Sequence, residues 1–217
     1  VLYGPPGIGK TSLAWCVANI TKSYYAGINA TTSNVEELRK LIAQAKLRKS
    51  GTGQKTILFI DEIHRFNKAQ QDVLLPDVED GNPVLIGATV HNPFFSLAAP
   101  LVSRSLVCEL KPLKEKDIID ILLAALKDKT KGLGAIKVDI DKKALGFIAK
   151  ASEGDARRAL NALEVGVLTT PKSKDGAVQF TLEVAEDSIQ KKAVVYDKDE
   201  DGHYDTASAF IKSMRGS

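Results

Sequence analysis

The sequence predicts an α/β domain on a phosphate-binding loop, with a parallel sheet flanked by helices, followed by a small all-helical lid. Three observations predict it. A glycine loop stands between a strand and a helix near the first residue. Short apolar runs alternate with helical patterns through the first half, as a parallel sheet with crossover helices requires. After Pro112 the patterning is helical only.

Val1–Tyr3 reads as the end of a strand and Lys10–Ile20 as a helix. Tyr24–Ala30 follows as a second strand. Ser33 and Glu36 have capping-box spacing ahead of a helix whose apolar stripe is Val35, Leu38, Leu41, Ile42 and Ala45. Gly51–Gln54 is expected to be a turn, and Thr56–Ile60 a buried third strand. Lys68–Val78 reads as helix, with Pro76 expected to disturb its end. Val84–Thr89 and Leu106–Leu110 are two further strands. Beyond them, Ile118, Ile119, Leu122, Leu123 and Leu126 share one helix face. Asp141 and Asp155 stand where N-caps belong, before Ala144–Ala151 and Ala156–Leu163. Thr181–Lys192 is a further helix, Asp197–Gly202 a charged linker, and Ala207, Phe210, Ile211 and Met214 an amphipathic stripe. The expected organisation is a nucleotide-binding domain over 1–110, a lid over 111–192, and over 193–217 a linker with the first helix of an oligomerisation domain.

Composition excludes several classes. Of 217 residues, 44% are hydrophobic and 26% charged, which is globular rather than disordered. No apolar run approaches the ~18 residues of a membrane span, and no secretory signal is seen. The chain begins without Met, so it is read as a piece of a longer protein. The net charge of +3 is too even to announce nucleic-acid binding. Cys16 and Cys108 are far apart in apolar strings and read as buried free thiols.

The chemistry begins with Gly4, Pro5, Pro6, Gly7, Ile8, Gly9, Lys10 and Thr11, which fit G-x-x-x-x-G-K-[ST] between a strand and a helix. Glycines let backbone N–H groups turn inward around phosphate, and the helix N-terminus adds its dipole. Lys10 is assigned to the β- and γ-phosphates of ATP, Thr11 to Mg²⁺, and Ser12 to the nucleotide-binding set. Ile57–Ile60 then ends in Asp61 and Glu62. Asp61, at the carboxyl edge of the sheet, suits the metal. Glu62 suits a water that attacks the γ-phosphate.

The Asp-Glu pair and the helical second domain resemble the AAA+ superfamily. That resemblance implies three further assignments. Thr89 resembles the sensor-1 residue that touches the γ-phosphate or the attacking water. Arg104, in Ser103-Arg104-Ser105, resembles an arginine finger acting on a neighbour's ATP. Arg157, in Gly154-Asp155-Ala156-Arg157-Arg158, resembles the sensor-2 contact to the γ-phosphate.

A narrower resemblance spans the chain. Phe59-Ile60-Asp61-Glu62-Ile63-His64-Arg65-Phe66-Asn67-Lys68-Ala69-Gln70-Gln71-Asp72 is similar to the RarA/MgsA family of replication-associated recombination proteins. So is the tail from Tyr196-Asp197-Lys198 to Arg215-Gly216-Ser217. Two details depart from the family pattern: Thr89-Val90-His91-Asn92-Pro93, and Ser105 in place of Cys. The resemblance implies a DNA-dependent ATPase at stalled replication forks, using ATP and Mg²⁺. Its implied partners are forked, single-stranded or duplex-end DNA, single-stranded-DNA-binding protein and copies of itself in a homotetramer. It further implies no membrane and a cytoplasmic, nucleoid-associated location, nuclear if eukaryotic. Two alternatives stand beside it. One is a clamp-loader or branch-migration ATPase of the same fold; the other is an ATP-binding switch or scaffold with little hydrolysis.

Other features have plainer readings. Asp197–Gly202 matches half a calcium loop, but Ser208 stands where the loop needs Glu. His64 and His91 follow strand ends near the site and read as structural or as supporting the site residues. Arg39, Lys40, Lys46, Arg48 and Lys49 read as a solvated basic face.

Overall fold

A computed structural model describes residues 1–196. They divide into two compact units, the first Val1–Pro112 and the second from Leu113 onward.

The first unit is a five-stranded parallel sheet in the order β2-β3-β4-β1-β5. Its strands are β1 (Leu2–Tyr3), β2 (Tyr24–Asn29), β3 (Thr56–Asp61), β4 (Val84–Thr89) and β5 (Cys108–Glu109). Thr56–Ile60 are all buried, as a central parallel strand requires. The period of two sends Leu58 and Ile60 to one face and Phe59 to the other. Phe59 packs with Ala14 of α1 (Lys10–Ile20) and with Ala88. On the opposite face Leu58 and Ile60 join Leu38 and Ile42 of α2 (Val35–Thr52). Leu74 of α3 (Lys68–Asp80) and Leu101, beyond the short α4 (Pro93–Ser96) in α5 (Ala99–Ser103), complete that layer.

Several local expectations are corrected. Asn34, not Ser33, caps α2, accepting from the Glu37 backbone N–H at 2.8 Å. The helix runs through Gly51 to Thr52 and ends at Gly53, whose φ of 72° suits glycine. Helix α3 passes through Pro76 to Asp80. The lost donor is offset by the buried Leu74 and by a reciprocal cap between Asn67 and Gln70. Strand β5 is only two residues long. Both cysteines are free as expected, but Cys16 lies exposed on the outer side of α1.

The second unit contains α6 (Glu115–Lys127), α7 (Lys142–Ala151), α8 (Ala156–Thr169) and α9 (Leu182–Tyr196). Asp141 and Asp155 cap α7 and α8 as their positions predict. Ile118, Leu122, Ile148, Leu163 and Phe180 form its core. The unit is helical but not purely so: β6 (Val138–Ile140) and β7 (Val178–Phe180) pair in parallel. Three-residue strands leave too little alternation to be read from sequence. The calcium-loop half-match and the Ala207–Met214 stripe lie outside the described residues.

Candidate nucleotide site

The site is built at the carboxyl edge of the first unit's sheet. Tyr3 of β1 stands in register with Thr89 of β4, so the glycine loop starts one residue past Thr89. The Gly4 N–H donates to the Thr89 carbonyl at 3.2 Å and anchors the loop to the neighbouring strand. Gly4, Gly7 and Gly9 all have positive φ. Gly4 is buried and faces the Leu110 carbonyl closely, so a side chain there has no space. Gly9 caps α1 with no side-chain acceptor, which leaves the first N–H groups of the helix for an anion. Lys10, the first helical residue, donates from Nζ to the carbonyls of Gly4 at 2.8 Å and Pro5 at 2.7 Å. Its ammonium is thereby held over the loop. Thr11 and Ser12 follow on the exposed first turn, and Pro5, Pro6 and Ile8 complete the loop.

Asp61 ends β3, opposite Asn29 of β2. Its Oδ1 accepts from the Glu62 N–H at 3.1 Å. The chain then reverses: Glu62 takes a left-handed conformation, φ 54° and ψ 37°, rare for a residue with a side chain. A single helical turn, Ile63–Arg65, follows. Between β3 and β1 lies only β4, so Asp61 and the loop are separated by two strand spacings, about 10 Å. Thr89 ends the intervening strand and is fully buried. Three sequence-predicted elements, the loop, the carboxylate pair and Thr89, are therefore brought to one edge.

Two histidines join them. Thr89 Oγ1 lies 2.8 Å from His64 Nδ1 and accepts from the His91 N–H at 3.1 Å. His64 Nε2 lies 3.3 Å from Glu62 Oε2, within ion-pair reach but not aligned for a hydrogen bond. The His64 and His91 rings meet edge to face at 4.6 Å. Burial pushes the His64 pKa below its usual 6.5; Glu62 opposes this, while His91 and Arg65 add to it. Of the two readings the sequence allows for these histidines, structural or supporting the site residues, the second fits His64, whose ring stands between Glu62 and Thr89. The available signal was the matching offset: each histidine sits two residues after a site residue.

Arg104 stands at the C-terminal cap of α5. Its Nε donates to Glu79 Oε1 at 2.5 Å and its Nη1 to the Pro100 carbonyl at 3.1 Å. Arg157 is exposed on the first turn of α8 in the other unit. The basic face of α2 is partly engaged within the fold. Arg48 lies over the Tyr24 ring at 3.6 Å and donates to Thr56, and Lys46 pairs with Asp77 at 2.7 Å. Among the described residues no group of three or more His, Cys, Asp or Glu could hold a metal, and no helix is long and apolar enough to cross a membrane.

Residues 1–113 match the family model described as ATPase family associated with various cellular activities (AAA). The chain belongs to the AAA ATPase family. The glycine loop and the Asp61-Glu62 strand end are thus parts of a P-loop ATPase domain that binds nucleotide. Residues 134–215 match the AAA C-terminal domain model. Along its whole length the AAA chain is 46% identical to Replication-associated recombination protein A of Bacillus subtilis (strain 168), covering 50% of that protein. It is 41% identical to the protein of the same name from Escherichia coli (strain K12), covering 48% of it. It thus spans about half the length of the curated relatives it matches. Among solved structures, the RuvB Holliday junction branch migration motor of Thermotoga maritima superposes with a TM-score of 0.67 at 26% identity. That match covers 87% of this chain and 60% of RuvB.

Proposed function

We propose that this protein hydrolyses ATP with Mg²⁺ and couples hydrolysis to DNA in replication-associated recombination, at stalled forks. The observation that carries the reading is the convergence of Lys10, Asp61, Glu62 and Thr89 at one sheet edge. Phosphoryl transfer needs little covalent chemistry from a protein; positioning and charge supply the rate. Gly4–Thr11 and Ser12 cradle the phosphates, with Lys10 on the β- and γ-phosphates. Thr11 and Asp61 would hold Mg²⁺, which neutralises charge on the phosphates when bound. A hydroxyl and one carboxylate are a hard-oxygen set of the kind that shares Mg²⁺ with substrate phosphates. Glu62 orients and deprotonates the attacking water. Thr89 contacts that water or the γ-phosphate. Arg157 contacts the γ-phosphate, and Arg104 acts on the ATP of a neighbouring copy.

Full-chain identity to proteins named for replication-associated recombination supports the DNA part; the cytoplasmic location, the homotetramer and the contact with single-stranded-DNA-binding protein rest on the motif resemblance alone. A second reading, branch migration, is favoured by the RuvB likeness. ATPase rates of the full-length protein on forked, single-stranded, blunt-duplex and four-way-junction DNA separate the two. Stimulation by forks supports the first and stimulation by junctions the second. Glu62→Gln is expected to keep ATP affinity and lower kcat by about 10²-fold or more, the usual worth of a positioned base. A rate equal to wild type at intact affinity would remove Glu62 from its role.

A further inference from the structure

We infer that His64 is a positioning residue of the hydrolytic site: it ties the Glu62 carboxylate to the Thr89 hydroxyl and fixes that hydroxyl as an acceptor toward the attacking water. This rests on the roles proposed for Glu62 and Thr89 and deepens them by choosing between water and γ-phosphate for Thr89.

One imidazole has two polar neighbours. Its Nδ1 is 2.8 Å from Thr89 Oγ1 and its Nε2 is 3.3 Å from Glu62 Oε2. The His64 side chain is 8% exposed and Thr89 is fully buried, so the ring has few polar neighbours beyond these two; it is hydrogen-bonded to Thr89 and meets the Glu62 carboxylate at ion-pair distance without a hydrogen bond. An ionised carboxylate only accepts. A bare Nε2 facing it would set lone pair against lone pair, so Nε2 carries the proton. Burial disfavours a second proton on the ring. Nδ1 is then the acceptor, and the Thr89 hydroxyl donates to it.

The rest follows by counting. A threonine hydroxyl has one proton and two lone pairs. The proton is spent on His64, and one lone pair on the His91 N–H at 3.1 Å. One lone pair remains. Thr89 can accept from a water, but cannot donate to a phosphate oxygen without breaking its bond to His64. Glu62 is also an acceptor. The two acceptors, set relative to each other by one ring, can hold both protons of a water and turn its oxygen lone pair outward for attack. The His91 ring, edge-on at 4.6 Å and 88°, steadies the plane of the bridging ring.

The test uses the full-length protein, with kcat and nucleotide affinity measured for Thr89→Val, His64→Phe, His64→Asn and the double His64→Phe/Thr89→Val. Thr89→Val and His64→Phe are each expected to lower kcat by about tenfold or more at little-changed affinity, as loss of a transition-state contact does. The double is expected to fall within about twofold of the slower single, the non-additivity of residues acting as one unit. His64→Asn, whose amide can stand near the Nδ1 position, is expected to recover part of the rate lost in His64→Phe. A wild-type kcat in His64→Phe beside a slow Thr89→Val would overturn the inference and leave Thr89 in its role. So would multiplicative losses in the double. Should Thr89→Val itself turn over at the wild-type rate, the role of Thr89 fails, and the inference with it. If His64→Phe does not fold, His64→Asn and its double with Thr89→Val carry the same comparison: non-additive losses support the link and multiplicative ones refute it.

Discussion

Gly4→Ala is the sharpest stability test of the site. Gly4 sits at φ 148°, and an added Cβ would run into the carbonyl oxygen of Leu110, with Ile8 Cδ1 at 2.9 Å. An ordinary C···O contact is about 3.3 Å or more, so backbone must move on one side. Holding alanine in that conformation costs about 1–3 kcal/mol. Overpacking against a backbone oxygen adds about 1–3 kcal/mol. The sum, about 2–6 kcal/mol, is a large share of the 5–15 kcal/mol that holds a typical domain together. For a chain of this size 1 kcal/mol shifts Tm by about 2–4 °C, so a mid-range loss of about 4 kcal/mol lowers it by roughly 8–16 °C. Nucleotide affinity is expected to fall as well, because the Gly4 carbonyl and N–H fix Lys10 and Thr89. Gly9→Ala is the control. Its φ is 92° but nothing lies within 4 Å of the added carbon, so only the conformational cost applies. Differential scanning fluorimetry with and without ATP reads both effects. A Gly4→Ala protein that melts and binds like wild type, or no worse than Gly9→Ala, would refute the reasoning.

Two further outcomes are expected. Folding holds the His64 pKa below its unfolded value of 6.5. The unfolded chain therefore binds more protons between the two values, and stability rises with pH through that window. The His64 penalty is absent above about pH 6.5 and grows as pH falls below it, so wild type should lose more stability than His64→Asn between about pH 7.5 and 5.5 in urea titrations. Equal losses would show that His64 does not carry the effect. Arg104 is expected to act in trans: full-length Lys10→Ala mixed with full-length Arg104→Ala should regain part of the ATPase rate. Mixed oligomers that form without any rescue would remove Arg104 from that role.

The first unit was legible because parallel strands buried on both faces leave apolar runs that end abruptly. Thr56–Ile60 followed by Asp61 and Glu62 shows where the sheet stops and its carboxyl edge begins. The glycine loop was legible because its spacing serves a geometric demand, positive φ at Gly4, Gly7 and Gly9. Helix ends were read less well. Ser33 and Asn34 are both good caps, and side-chain geometry, not residue type, selects Asn34. Pro76 reads as a terminator from its own chemistry, yet packing around Leu74 carries α3 onward.

What sequence could not show was the link between Glu62 and Thr89. Glu62 and His64 are two residues apart, a separation at which side chains of a strand share a face and those of a helix do not. Here neither rule applies, because Glu62 takes a left-handed conformation and the chain folds back into a single turn. Thr89 is 25 residues further on, and only the β3–β4 pairing returns it to His64. That pairing also holds the turn that carries His64. Gly87, in register with Ile60, leaves room for Ile63, which is fully buried; an added Cβ at Gly87 would come within 2.8 Å of its Cδ1. Ile63 is therefore pinned between Glu62 and His64 in the chain. Glu62 and His64 are carried by a turn whose middle residue is locked into the sheet, and Thr89 by the strand that turn packs on, so their spacing is set by core packing and not by the mobility of a surface loop.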